Sequence, residues 1–269
     1  MSCPDCISGA LITGEPTGYI DASGAYHAPA PSTASETQKT RSILLFTDAF
    51  GLPLNNCKLI ADTLAARLAC DVWVPDIFAG RPLIPLHLML PSRSGEKIGF
   101  FRWLQFFWAM LFRVGNIFAS RPSIADARAL KFLDAVQKQK KYTKVGAVGY
   151  CFGGAMAVRM GARDVLQSAV VCHPAPFSTE QLKAIKIPTS WVFAEDDIFF
   201  KPAKRLEAEA VFAARKDTPS FIDYECRDYK GTTHGFASRP DLQYPEIKAA
   251  FENALDQIVG WFEKTIPVQ

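Results

Sequence analysis

The chain has 269 residues, 49% of them hydrophobic and 21% charged, with a formal net charge of only +3. That is enough apolar material for one sizeable core. It is too weak a charge bias for a nucleic-acid binder, and the densest basic run, KQKKYTK at 138–144, reads as a solvated helix end.

The chain opens on MSCPDCISGALITG, without the basic start and long apolar run of a signal peptide. Cys3 and Cys6 have redox or zinc spacing, but no second Cys or His pair accompanies them. A hairpin is expected around TGYIDASGAYHAP (17–29), followed by a loop rich in Pro, Ser and Thr, so that residues 1–40 read as an N-terminal extension. Alternation then begins. SILLFT (42–47) is a continuous apolar run of buried-strand type, and LNNCKLIADTLAARLA (54–69) puts Leu54, Leu59, Ile60, Leu64 and Leu68 on one helical face. CDVWVPD (70–76) is the next strand.

An aromatic insertion follows at 81–120. Within it, GFFRWLQFFWAMLFRVGNIF (99–118) holds ten apolar-rich residues between Arg102 and Arg113. As a helix these would span roughly 15 Å, about half a bilayer core, which excludes a transmembrane segment. The insertion is expected to be a lid over a hydrophobic pocket, with a homodimer face and a shallow membrane contact as alternatives.

A helix is expected near 121–139, a strand at KVGAVGY (144–150) and a helix at GGAMAVRMGA (153–162). Further strands are expected at 168–173, 187–195 and 220–226, and helices near 202–215 and 245–264. Strands alternating with helices predict a single α/β domain over 1–269, with a mostly parallel sheet covered on both faces. Seven cysteines, odd in number and mostly set in apolar stretches, fit reduced thiols in a cytoplasmic protein.

Gly149-Tyr150-Cys151-Phe152-Gly153 fits G-x-nucleophile-x-G between a strand and a helix. Such a turn is tight enough to need glycine on both sides. The helix behind it aims its amides and dipole at the thiol, which lowers a thiol pKa and stabilises an oxyanion. VFAEDD ends a strand at Asp196-Asp197, where an orienting acid belongs, with Asp197 preferred for its spacing to Pro202. GTTHGF then puts His234 in the loop after the last strand. Nucleophile, acid and histidine in that order at strand C-termini converge in space, with His234 as base and Asp197 as its orienter. His173, at a strand end in VCHPAP, is either a pocket residue or a structural loop histidine.

Together GYCFGG, FAEDD and THGF resemble the dienelactone hydrolase family of α/β-hydrolases, which use a Cys-Asp-His triad. The opening MSCPDC and the stretch TDAFGL resemble its fungal branch, and the similarity runs to about residue 265. The resemblance implies an α/β-hydrolase fold and a thioacyl-enzyme reaction that opens a lactone or cleaves a small ester without metal or organic cofactor. It implies that Asp48, one methylene shorter than the glutamate of the best-studied bacterial members, helps activate the thiol, with a turn or capping role as the alternative. It further implies an oxyanion hole from the amides of Ala49 and Phe152. Arg81 and Arg239 become substrate-binding candidates, each with a plain surface-arginine alternative. A bulkier hydrophobic lactone, thioester or polyketide-type intermediate is the rival substrate. A hydrophobic-ligand-binding protein is the non-enzymatic rival.

Overall fold

The computed structural model describes residues 9–89, 101, 104, 108, 111, 113–197 and 199–268. The strands are β1 (Tyr19–Ile20), β2 (Tyr26–Ala28), β3 (Arg41–Phe46), β4 (Asp71–Val74), β5 (Lys144–Tyr150), β6 (Ser168–Cys172), β7 (Thr189–Asp196) and β8 (Tyr224–Thr233). Among the described residues the α-helices with defined bounds are α1 (Asn55–Leu68), α2 (Val114–Ala119), α3 (Pro122–Lys140), α4 (Phe152–Met160), α5 (Thr179–Lys183), α6 (Pro202–Ala213) and α7 (Pro245–Thr265). The strands form one eight-stranded sheet in the order β1-β2-β4-β3-β5-β6-β7-β8. All pairs from β4 to β8 are parallel, and β1 and β2 add antiparallel strands at one edge. The mostly parallel α/β architecture expected from the alternation is the one found. The hairpin expected around 17–29 is present as β1 and β2, and through β2 it joins the sheet at the β4 edge.

Why the central strands are apolar throughout follows from the layers. Successive side chains of a strand face opposite sides. In β3, Ile43 and Leu45 join the core under α1 and α7, while Leu44 and Phe46 join the core under α3, α4 and α6. Both faces are covered, so no polar alternation survives. Helix α7 buries Phe251, Leu255, Ile258 and Phe262 at helical spacing, and Pro245 starts it without loss of an internal hydrogen bond.

β4 lies on one side of β3 and β5 on the other. The winding therefore reverses between β3 and β5, which leaves a crevice beyond their C-terminal ends. Cys151 follows β5 directly, and Asp48 and Ala49 follow β3.

One expected strand is displaced. The run 220–226 reads as a strand, whereas β8 spans Tyr224–Thr233 and leaves 220–223 outside it. β8 is the sheet edge and pairs only with β7. Half-solvated, it carries Arg227, Asp228 and Lys230, so hydrophobicity does not mark its extent.

Candidate active site

Five strand ends supply the site. Cys151 occupies the N-cap of α4 with φ 53° and ψ −110°. Such backbone costs roughly 1–3 kcal/mol and persists only where the surroundings enforce it. They do so here. The Cys151 N–H donates to Cys172 O at 3.1 Å, and its carbonyl accepts from Ala155 at 3.1 Å and Ala175 at 2.8 Å. The flanking glycines leave no room for a side chain. A Cβ on Gly149 would stand 2.0 Å from Gly153 O, and one on Gly153 would stand 2.1 Å from Phe46 O.

His234 follows the last residue of β8, and Asp197 the last residue of β7. His234 Nδ1 lies 2.9 Å from Asp197 Oδ2, with both side chains almost wholly buried. The other carboxylate oxygen of Asp197 accepts the amides of Phe199 at 2.9 Å and Phe200 at 3.2 Å, which fixes its orientation. Asp196 by contrast is exposed. Burial alone would strip His234 of its charge. The negative charge of Cys151, then that of Asp197, and hydrogen bonds to both side chains outweigh it and push the His234 pKa up to about 10. The negative neighbours thus favour the protonated imidazole.

His173 follows the last residue of β6, fully buried, and its ring meets that of His234 edge-on at 5.1 Å. Burial, and then the charges of His234 and Arg239, hold its pKa well below the ordinary value. It is a neutral wall of the site. Among the described residues no acceptor meets the amides of Ala49 or Phe152, although both adjoin the thiol's neighbourhood in chain and fold. Cys151 packs in one apolar cluster with Ala49, Phe50, Leu54, Ile84 and Leu88, and half-buried Leu86, Met89 and Phe199 close against it. The segment 83–89 is pinned by the Ile84 amide, which donates to Ala49 O at 3.0 Å. Sequence reasoning gave this segment no individual residues, because its apolar positions follow no helix or strand period.

Asp48 is also buried. Its carboxylate accepts from the Phe50 amide at 3.0 Å, from Ser238 Oγ at 3.2 Å and from the Arg239 guanidinium. Arg239 is 1% exposed and lies 5.1 Å over the Phe50 ring, so it is an interior cation and not a surface arginine. Nothing in the sequence signalled Ser238 as a partner of Asp48. Arg81 stays exposed at the head of the covering segment, and no hydrogen bond or ion pair joins its side chain to another described residue. Removing one member of a buried pair leaves the other charge uncompensated. Arg239→Ala is therefore expected to lower the unfolding free energy by about 3–5 kcal/mol in urea titrations, with Asp48→Asn in the same chain restoring much of the loss.

Comparison with known proteins gives the same direction. The model of the dienelactone hydrolase family matches residues 25–266. Hydrolase pyvD of Aspergillus violaceofuscus is 32% identical over 260 residues, which cover 96% of this chain and 95% of that protein. The carboxymethylenebutenolidase homolog of Mus musculus is 25% identical over 244 residues, 89% of each chain. A crystal structure from Klebsiella pneumoniae described as a dienelactone hydrolase superposes with a TM-score of 0.64 at 12% identity, covering 89% of this chain and 92% of that one.

Proposed function

The chain belongs to the dienelactone hydrolase family, whose members hydrolyse carboxylic esters and lactones, and from that premise we propose that it works through a cysteine nucleophile and a thioacyl-enzyme. The observation that carries this reading is the Cys151–His234–Asp197 arrangement: a strained thiol at a helix N-terminus, beside an imidazole whose proton its charge holds. Cys151 Sγ attacks the acyl carbon, and the carbonyl electron pair moves onto oxygen, where the Ala49 and Phe152 amides stabilise it. Collapse breaks the acyl C–O bond. His234 gives its proton to the leaving oxygen, which in a lactone stays attached to the acyl chain. Neutral His234 then takes a proton from water, whose oxygen attacks the thioester and releases the acid and the thiolate. Asp197 holds the imidazole in the tautomer that permits both transfers. Asp48 and Arg239 are the thiol-activating and substrate-binding candidates, and the buried pair between them ties the two roles together.

The substrate is a small-molecule lactone or ester. The apolar wall of Ile84, Leu88 and Phe199 beside Cys151 favours a bulky hydrophobic acyl group over a small polar one.

Thiol reactivity tests the nucleophile. Burial pushes the pKa of Cys70 and of Cys226 up to about 12, and raises Cys57 and Cys172 as well. Peptide mapping after iodoacetamide treatment at neutral pH is expected to show Cys151 alkylated at least about tenfold faster than these four. Equal rates among them would remove Cys151 as the nucleophile.

A further inference from the structure

Residues 101–121, FRWLQFFWAMLFRVGNIFASR, contain Arg102, Arg113 and Arg121 and no acidic residue. Phe101, Leu104, Trp108 and Leu111 all have helical backbone and all face solvent, Phe101 at 83% and Trp108 at 51% exposure. Their spacing of three, four and three places them within about 80° of arc on a helix. In helix α2, Ile117 and Phe118 are exposed as well, Phe118 at 65%. An apolar patch of this kind on a soluble fold marks a surface with a partner.

A lid seated over the site would turn such side chains inward, and these point out. A two-fold dimer through this surface would bring exposed Arg121, whose guanidinium lies at the Phe118 carbonyl, towards its own copy, with no acid in 101–121 to offset it. An anionic lipid surface fits both properties, since aromatic and aliphatic groups enter the interface while cations meet headgroups. Among the described residues no helix is long and apolar enough to cross a membrane, so the contact is with one face of the bilayer. We propose that the surface formed by these residues docks the protein on anionic lipid membranes. The surface is tied to the site: Arg113 Nη1 donates to Pro82 O at 3.3 Å, beside the segment that packs against Cys151. Docking would thus set that segment near the hydrocarbon from which an apolar substrate partitions.

Flotation of the full chain with phosphatidylcholine vesicles, with and without phosphatidylserine, tests this independently of the chemistry at Cys151. The protein is expected to float with the serine-containing vesicles and to be released as salt rises. The variant Phe101→Ser/Trp108→Ser/Phe118→Ser, checked for folding by circular dichroism, is expected to partition at least roughly tenfold less. Arg121→Glu, an exposed change at one position, is expected to weaken binding roughly tenfold or more through charge alone. Hydrolysis of soluble p-nitrophenyl acetate should not change in either variant. Protein that stays in the supernatant with both vesicle types overturns the proposal, as does binding indifferent to phosphatidylserine. A wild-type dimer that the triple variant dissolves, without vesicle binding, would assign the face to a second copy of the chain and overturn it equally.

Discussion

Cys151→Ala is expected to lower kcat/KM for p-nitrophenyl acetate and for dienelactone by about 10⁴-fold or more, because the covalent route is lost entirely and only transition-state binding remains. The fold should survive. Alanine is smaller than cysteine, and the turn at φ 53° is enforced by backbone hydrogen bonds that the substitution retains. Cys151→Ser should fare nearly as badly. A hydroxyl is far harder to ionise than a thiol, and the ion pair that raises the His234 pKa depends on the charge at position 151. Steady-state kinetics with circular dichroism as the folding control check both variants. A Cys151→Ala enzyme with undiminished turnover would put the chemistry elsewhere.

The second large effect is expected at Asp197. In Asp197→Asn the retained carbonyl can still accept the Phe199 and Phe200 amides, which leaves the new NH₂ facing His234 Nδ1. That amide donates where the carboxylate accepted. It forces the proton onto Nε2 and leaves the imidazole unable to take a proton on the side that faces the reaction. A loss of about 10³–10⁴-fold in kcat is expected, with KM little changed. The pH dependence gives a second reading. In the wild type His234 holds its proton up to about pH 10, so Cys151 alkylation should vary little from neutrality upward and hydrolysis should fall only as pH passes through that value. The carboxylate's charge favours the imidazolium, so its removal lowers the His234 pKa. Thiolate then forms by titration of the thiol itself, and alkylation of the variant should climb with pH across the same range.

Much of this arrangement could be read from the chain because strand C-termini converge whatever lies between them. Cys151, Asp197 and His234 each sit just past an apolar or semi-apolar strand, and those strands, β5, β7 and β8, fall within four consecutive parallel strands of the sheet. Choosing between Asp196 and Asp197 was harder. At a strand's end the two-residue period no longer says which of two adjacent carboxylates turns inward, and the inward one here is fixed by a local turn, through the Phe199 and Phe200 amides. The extent of β8 was hidden because an edge strand with one half-solvated face carries no hydrophobic signature. The Asp48–Ser238–Arg239 cluster was hidden for another reason: contacts across 190 or 191 positions of separation leave no local pattern. The covering segment 83–89 packs by shape in an irregular loop, which composition does not report.

The most direct test is to find where the acyl group goes. The enzyme is mixed with p-nitrophenyl acetate, quenched in acid within the first turnovers, and its peptides mapped by mass spectrometry. The account predicts one acetyl group on Cys151, released by hydroxylamine as a thioester is, and absent from Cys151→Ala. Acetyl on a serine or lysine, or turnover with no acyl-enzyme at any stage, would contradict it.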